Sequence, residues 1–370
     1  MIDKKLLRNF DYPLLIIVVI ISIIGIIVIT SATQYNATGD PYYFTRRQGT
    51  FFVVGLMLLL AVLSIDYYSI LRVAKPLYYV NLMLLAAVFL PHIGRTSQGA
   101  QRWISLGIID LQPSEFAKLI IIITLAKYLV DREETIESFY DLSIPLLHVG
   151  VPVGLIFLQP DLGTAMVFGA IFIGILFFHK VKFRYIFGLI GLGILMMIPM
   201  WFFLQDYQRN RLIAFLNPGD LDPLGDGFQL WHSLVAIGSG GTTGKGLFQG
   251  TQNQLDFLPE AHTDFIFSVV GEELGFVGAL VVIILYLLMI YRILKIAYVS
   301  KDSYGTIICG GIAAMFLFQL VINVGMTVSM MPLTGLPLPF ISYGGSSLIM
   351  NMLAVGLALN IGMRRHKILF

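Results

Sequence analysis

Residues 265–290 read FIFSVVGEELGFVGALVVIILYLLMI, an apolar run in which Glu272 and Glu273 are the only charged residues. A helix needs about 20 apolar residues to cross the roughly 30 Å hydrocarbon core of a bilayer, so this run is long enough to span it. Similar runs recur along the chain, whose 370 residues are 57% hydrophobic and 12% charged, whereas soluble domains carry about 25% charged residues. The sequence therefore predicts an all-α polytopic membrane protein.

The apolar runs predict about ten transmembrane helices in a single integral membrane domain, residues 1–370. The predicted spans are approximately residues 12–29, 51–65, 77–90, 116–130, 144–158, 165–178, 185–204, 265–290, 306–331 and 340–363. A loop of residues 205–263 joins the seventh span to the eighth, and loops of that length in compact proteins are usually functional or disordered. Its apolar and aromatic residues predict that it folds against the membrane domain.

The distribution of basic residues predicts the orientation of the chain. Of the 24 Lys and Arg residues, 16 fall on the termini, loops and adjoining span ends of one side, 7 fall on the other side, and Lys118 lies within a span. Cytoplasmic loops carry the excess of basic residues, so both termini are predicted to be cytoplasmic and the loop 205–263 to lie outside. The net charge of +2, without a basic patch, gives no indication of nucleic-acid binding.

Asp264 is the leading catalytic candidate. It ends the stretch LPEAHTD, residues 258–264, where the long loop meets the eighth span. An ionisable group in this position is costly unless it is solvated, paired or used. One interpretation is structural: the carboxylate caps the helix by accepting hydrogen bonds from backbone N–H groups.

The alternative interpretation gives Asp264 a function. On a continuous helix it shares a face with small residues that let another helix approach closely, namely Ser268, Gly271, Gly275 and Gly278. Glu260 and His262 lie within a turn of it, so the local charge can raise its pKa from about 3.9 towards the range of a general base. The sequence leaves both interpretations open.

Other carboxylates also lie in or beside predicted spans. Glu115 and Lys118 stand three residues apart at the start of the fourth span, so they share a helix face on which they can pair. Either the pair is structural, or Lys118 holds an anionic group of a substrate while Glu115 positions it. Glu272 and Glu273 point about 100° apart, which predicts that at least one of them pairs with a group on another helix; a proton relay is the alternative.

Two glycine-rich segments predict unusual backbone. The segment GSGGTTGKG, residues 238–246, lacks the spacing of a phosphate-binding P-loop, which leaves flexibility or N–H groups facing an anion as its roles. The segment PLPFISYGGSS, residues 337–347, predicts a broken or re-entrant entry to the tenth span, because its prolines cannot continue a helix. Asp161 is predicted to cap the helix of the sixth span, residues 165–178.

No motif for a metal or cofactor is evident. The six His residues are dispersed, and the single cysteine, Cys309, lies in an apolar run, so the ligand spacing of a zinc site is missing. A Mg²⁺ or Mn²⁺ site formed by carboxylates and a substrate phosphate leaves no sequence motif. We therefore expect no resident cofactor and leave a divalent cation open.

The order of these segments resembles the SEDS family of membrane proteins, whose RodA, FtsW and sporulation members polymerise peptidoglycan. The resemblance covers essentially the whole chain, and it is greatest to the rod-shape members (RodA). Each matching segment is weak alone, and their order is specific. They are Arg102-Trp103, residues 112–115 (QPSE) with Lys118, residues 159–164 (QPDLGT), residues 236–241 (AIGSGG), residues 259–275 and residues 337–347.

The resemblance implies an inverting glycosyltransferase of the bacterial cytoplasmic membrane that acts in cell elongation. Such enzymes join lipid II, the undecaprenyl-pyrophosphate-linked disaccharide pentapeptide, into β-1,4-linked glycan strands on the outer face. The essential carboxylate of the family matches Asp264, as general base, and the departing pyrophosphate needs its charge balanced. The residues expected to bind substrate are Arg102, Lys118, Glu115, Arg209, Arg211, Lys245 and His262.

Family members work with a class B penicillin-binding transpeptidase, so the resemblance implies this partner in addition to lipid II and membrane lipids. Two other functions stay open at this point. A lipid II flippase predicts that Asp264 is dispensable for transport, and a non-catalytic scaffold of the wall-synthesis complex predicts that it is dispensable altogether. The carboxylate on the predicted outer side and the lack of an inverted repeat favour the enzyme.

Overall fold

The computed structural model describes residues 8–34, 40–91, 93–97, 100–105, 107, 110–132, 136, 138–216, 227–255 and 257–364. These residues form fourteen α-helices and one antiparallel sheet of three strands. The helices are α1 (Tyr12–Thr33), α2 (Tyr43–Ser64), α3 (Tyr67–Arg72), α4 (Ala74–Ala87), α5 (Pro113–Asp131), α6 (Ser143–Leu158), α7 (Leu162–Phe178), α8 (Phe183–Met200), α9 (Asp206–Leu216), α10 (Phe228–Gly240), α11 (Thr251–Gln254), α12 (Ile266–Tyr298), α13 (Ser303–Thr327) and α14 (Gly345–Met363). The strands are β1 (Gly94–Ser97), β2 (Ala100–Ser105) and β3 (Asp110–Leu111), in that order in the sheet, and a 3₁₀ turn (Trp201–Phe203) follows α8.

The helices confirm a mostly helical, multi-pass membrane protein, and the sheet β1–β3 corrects the all-α prediction. Each of the ten predicted spans coincides with one of the helices α1, α2, α4 to α8 or α12 to α14. Within the described part of the chain, six helices are long and apolar enough to cross a bilayer by themselves: α1, α2, α8 with its 3₁₀ turn, α12, α13 and α14. Since α6 and α7 are apolar but shorter, the number of ten crossings stays a prediction.

The helices α13 and α14 form the centre of the bundle. α14 packs along α2, and α13 packs on α7 and α12; the apolar side chains of α14 are almost all buried. α8 packs on α7 and keeps most of its apolar side chains exposed. Apolar side chains on such a face are suited to lipid, and the space between α8 and the bundle becomes part of a cavity.

The helix α12 is not the continuous helix that the apolar run predicts. Gly275 has φ 65° and ψ −165°, which interrupts the helix, and this conformation is open essentially to glycine alone. The glycine-rich segment 238–246 satisfies the backbone groups around the break: the Phe276 N–H donates to the Gly241 carbonyl at 2.9 Å, and three further backbone hydrogen bonds follow. The segment therefore completes a broken helix and does not present these N–H groups to an anion.

Two of the four small residues predicted to admit another helix, Ser268 and Gly271, do so. Ser268 Oγ lies 2.7 Å from Ser233 Oγ of α10, and Gly271 packs against Ile237. The described residues of the loop 205–263 are therefore folded against the membrane domain through α10. Four carboxylates of this loop lie outside the described residues: Asp220, Asp222, Asp226 and Asp256.

Substituting Gly275→Ala is expected to lower the free energy of unfolding by about 1–3 kcal/mol, the cost of holding a Cβ in a glycine-only conformation. The new Cβ would also lie 2.3 Å from the Gly244 nitrogen. Thermal unfolding in detergent measures the change. Gly191→Ala on α8 is the matched control, because a Cβ there meets nothing within 4 Å; equal stability of the two variants would refute a structural role for the break.

Candidate active site

A cavity of about 1950 Å³ extends along the bundle and ends beside Asp264. Its long part is apolar and is lined by side chains of α6, α7, α8 and α13, among them Phe157, Ile173, Met197 and Leu317. The part at the end of α12 is polar and is lined by Arg102, Asp161, Arg211 and Asp264. The cavity thus joins a charged site to an apolar trough.

Asp264 lies in the polar part of the cavity, just before α12 begins. Phe265 occupies the N-cap position and no described side chain caps this helix, so the capping interpretation of Asp264 is wrong. The Asp264 carbonyl accepts a hydrogen bond from Asn323 Nδ2 at 3.0 Å, and the Thr263 carbonyl accepts one from Ser342 Oγ at 2.6 Å. These bonds fix the backbone and leave the carboxylate on the cavity wall.

Burial raises the pKa of Asp264 to about 6. The negative charge of Glu260 adds to this rise, and the guanidinium groups of Arg211 and Arg102 oppose it. A carboxyl group with this pKa is mostly ionised at pH 7 and is a stronger base than an ordinary aspartate. Asp264 therefore has the protonation state that a general base needs.

Arg102 reaches the cavity from β2. Its guanidinium donates to the backbone carbonyls of Gln159, at 3.1 Å, and of Pro160, and it lies 3.8 Å from the Asp161 carboxylate. Asp161 caps α7, as predicted, by accepting a hydrogen bond from the Thr164 N–H at 3.1 Å. The turn between α6 and α7 therefore fixes one cation and one carboxylate in the polar part of the cavity.

Arg211 reaches the same part of the cavity from α9. Tyr207 Oη and Gln208 Nε2 each donate to the Pro160 carbonyl at 3.2 Å, which docks α9 on the turn that also holds Arg102. The Arg211 guanidinium lies over the Tyr207 ring, 5.6 Å from its centroid. Two cations from separate elements are thereby brought close enough to Asp264 to act on its charge.

The predicted pair of Glu115 and Lys118 forms, with Lys118 Nζ 2.8 Å from Glu115 Oε1. Lys118 is fully buried and does not line the cavity. Glu115 does line it, and its Oε2 is buried without a hydrogen bond from any described residue. The group of this pair that lines the cavity is therefore the carboxylate and not the predicted Lys118 ammonium group.

The chain matches the FtsW/RodA/SpoVE family of cell cycle proteins over residues 12–367. It belongs to that family. A curated relative, "Probable peptidoglycan glycosyltransferase FtsW" of Geobacter metallireducens, is 37% identical over 370 residues, which cover 98% of this chain and 97% of the relative. This FtsW/RodA/SpoVE protein is therefore a glycosyltransferase, as the sequence resemblance implies.

Solved structures of the family have the same fold. A chain of a peptidoglycan synthase complex, in a study of how polymerization and crosslinking are coordinated, is 33% identical with a TM-score of 0.82; the match covers 97% of this chain and 99% of that one. RodA of Thermus thermophilus is 31% identical with a TM-score of 0.71, over 97% of this chain and 98% of RodA. An FtsW relative is thus more similar in sequence than this RodA, so the similarity establishes the family and not its RodA branch.

Besides Lys118, two cations predicted to bind substrate lie outside the cavity of this FtsW/RodA/SpoVE protein. Arg209 donates to two backbone carbonyls of the segment Trp201–Phe203. Lys245 Nζ lies 2.6 Å from Glu272 Oε1. Neither side chain lines the described cavity, because one turns back on the end of α8 and the other is held at the break in α12.

The two adjacent glutamates of α12 both have partners. Glu272 pairs with Lys245 and also accepts a hydrogen bond from Thr251 Oγ1 at 3.1 Å, and Glu273 accepts one from Ser31 Oγ of α1 at 2.5 Å. The prediction that at least one of them is paired is confirmed. Their contacts are those of an anchor between α1, the loop and α12.

His262 lies on the cavity wall, where its ring centroid is 4.8 Å from that of Phe44 and 5.7 Å from that of Tyr343. Burial lowers the pKa of His262, and the Glu260 charge opposes that change. Burial therefore favours the neutral imidazole. It offers the cavity an aromatic face and one hydrogen-bonding nitrogen of each kind.

Sequence reasoning missed Arg47, which lines the cavity from α2. No motif surrounds Arg47 in the sequence, and the one sequence signal for it is that it is among the seven basic residues on the predicted outer side.

Within the described residues, no three His, Cys, Asp or Glu side chains are grouped as metal ligands. A divalent cation bound together with a substrate phosphate stays a prediction.

Proposed function

We propose that this protein polymerises lipid II into β-1,4-linked glycan strands on the outer face of the bacterial cytoplasmic membrane. The observation that carries the proposal is the position of Asp264, a carboxylate of raised pKa at the junction of a charged site and an apolar trough. A polyprenyl pyrophosphate has the same two parts, an anionic head and a long apolar tail. The trough beside α8 can take the tail while the head lies at Asp264.

In the proposed reaction the 4-hydroxyl oxygen of the acceptor GlcNAc attacks the anomeric carbon of the donor MurNAc. Asp264 takes the hydroxyl proton as the new C–O bond forms. The bond from the anomeric carbon to the phosphate oxygen breaks, and its electron pair leaves with undecaprenyl pyrophosphate. Attack opposite the leaving group inverts the α-linked donor into a β-linked product.

The leaving pyrophosphate gains negative charge as this bond breaks, so fixed cations beside it stabilise the transition state. Arg102 and Arg211 are held near Asp264 by the Pro160 turn and by α9. Guanidinium groups suit this role, because their donors match phosphate oxygens and they stay charged. We assign them to the donor pyrophosphate, and we assign Glu115 to a hydrogen-bond donor of the substrate.

Two features support the proposed setting. The excess of basic residues on one side supports cytoplasmic termini. The relative in a peptidoglycan synthase complex supports a class B penicillin-binding transpeptidase as partner.

A role in cell elongation is proposed from the resemblance to RodA. It is tested by whether this chain restores rod shape in cells depleted of their own RodA.

The proposed function is tested by incubating the purified protein and its transpeptidase partner with labelled lipid II and separating the products on a gel. Wild-type protein is expected to give a glycan ladder. Protein that moves lipid II across vesicle membranes without forming a ladder would favour the flippase, and protein without either activity would favour the scaffold.

Replacing Arg211 with Gln is expected to slow polymerisation about tenfold to a hundredfold, the loss typical of one charge-assisted hydrogen bond. Removing the cation also disfavours the Asp264 carboxylate, so its pKa rises above the present value of about 6. The fall in rate at acidic pH is therefore expected to begin at a higher pH in Arg211→Gln than in the wild type. Arg209→Gln is the matched control on the same helix, since Arg209 lies outside the cavity; equal effects of both changes would contradict the assignment.

A further inference from the structure

The polar part of the cavity has a second wall, formed by the start of α2 and the entry to α14. Arg47 and Phe44 lie three residues apart on α2, which places them on one helix face, and both line the cavity. Tyr343 contributes to this wall from the segment before α14. None of these residues has a part in the donor site described above.

Three aromatic rings, those of Phe44, His262 and Tyr343, lie together on this wall. The Phe44 centroid lies 4.8 Å from the His262 centroid and 4.9 Å from the Tyr343 centroid. All three side chains are half-buried, so they keep part of their surface on the cavity. A wall of this kind suits a pyranose, whose C–H groups pack on aromatic faces while its hydroxyl groups point away.

Arg47 is held on the same wall by Tyr43 and Phe51. Its Nη1 donates to Tyr43 Oη at 2.8 Å, and its guanidinium carbon lies 5.5 Å from the Tyr43 centroid and 6.0 Å from the Phe51 centroid. Its charge acts on Tyr343, whereas the cations that act on Asp264 are Arg211 and Arg102. The cavity therefore contains a second cationic site on a different wall.

Glycan polymerisation needs two lipid-linked sugars at the same time, one that loses its pyrophosphate and one that keeps it. From the Arg47 site and the rings beside it, we propose that Arg47, Phe44, His262 and Tyr343 form the acceptor subsite, which takes a pyrophosphate-linked amino sugar. Arg47 binds the acceptor pyrophosphate, and the three rings carry the sugar towards Asp264. This inference rests on the proposed function.

Two substrate analogues separate the subsites. Lipid II with a blocked 4-hydroxyl acts only as donor, and lipid II with a phosphonate C-glycoside at the anomeric carbon acts only as acceptor, because its leaving group cannot depart. Together they give a single coupled product, whose rate is measured while either analogue is varied. Arg47→Gln is expected to raise the KM of the acceptor analogue about tenfold and to leave the donor KM within about twofold, whereas Arg211→Gln should do the reverse.

Arg46→Gln is the matched control, because Arg46 is exposed, pairs with Asp40 at 3.2 Å and does not line the cavity. Phe44→Leu, which removes one of the three rings, and Arg47→Lys, which keeps the charge but not the guanidinium, provide further variants if Arg47→Gln fails to fold; each is expected to raise the acceptor KM by a smaller factor. An unchanged acceptor KM in the folded variants, or a rise in the donor KM instead, overturns the inference. If wild-type protein forms no product from the two analogues or from lipid II, the proposed function itself fails.

Discussion

Replacing Asp264 with Asn is expected to lower the rate of glycan polymerisation by about 10² to 10⁴, the contribution of a well-placed general base. The amide keeps the shape of the side chain but cannot accept the proton of the acceptor hydroxyl. The gel assay with labelled lipid II measures the change. Asp206→Asn is the control, because Asp206 is almost fully exposed on α9 and does not line the cavity.

The same carboxylate predicts how the wild-type rate depends on pH. Since the pKa of Asp264 is raised to about 6, the group is ionised and able to accept a proton above that pH. The rate is expected to be level above pH 7 and to fall about tenfold per unit of pH well below 6. The residual rate of Asp264→Asn should not show this fall below pH 6. A glycan ladder of wild-type intensity in Asp264→Asn would remove this residue from the mechanism.

Breaking the buried pair at the start of α5 is the change with the largest expected effect on stability. Lys118→Met leaves the Glu115 carboxylate buried without its cation, which costs about 3–5 kcal/mol of unfolding free energy. The double variant Glu115→Gln with Lys118→Met removes both charges and is expected to recover most of that loss. Thermal or denaturant unfolding in detergent compares the two variants.

A second ion pair on the same helix provides the control. Lys127 Nζ lies 2.8 Å from Asp131 Oδ2, and both side chains are partly exposed. Water screens an exposed pair, so Lys127→Met is expected to cost less than about 1 kcal/mol. If Lys118→Met were no more destabilising than Lys127→Met, the buried pair would have no structural role.

The contacts that sequence reasoning predicted correctly are local ones. The Glu115–Lys118 pair follows from a spacing of three residues on one helix, and the Asp161 cap follows from its position before Thr164. Close packing at Ser268 and Gly271 was also predicted correctly, because helix periodicity decides which residues share a face, whereas Gly278 lies beyond the break at Gly275. A regular helix fixes such neighbours before any tertiary packing is known.

The errors arose where distant parts of the chain compete for a residue. Lys245 was predicted to bind substrate, but it pairs with Glu272, 27 residues further along the chain. Asp264 was a possible helix cap by position, yet its backbone is bound by Asn323, 59 residues away. Neither partner could be found from spacing, because only packing of separate helices brings these groups together.

The sequence by itself determined that this is a helical, multi-pass membrane protein with a carboxylate at the start of its eighth apolar run, since apolar composition and helix periodicity are properties of short segments. Only the tertiary structure decided which charges surround that carboxylate. Arg102 and Arg211 meet at Asp264 because the Pro160 carbonyl docks both β2 and α9, and Arg209, two residues from Arg211, turns away. Which charged side chains surround Asp264 depends on hydrogen bonds between elements that are far apart in the chain. These bonds exist only after the helices have packed.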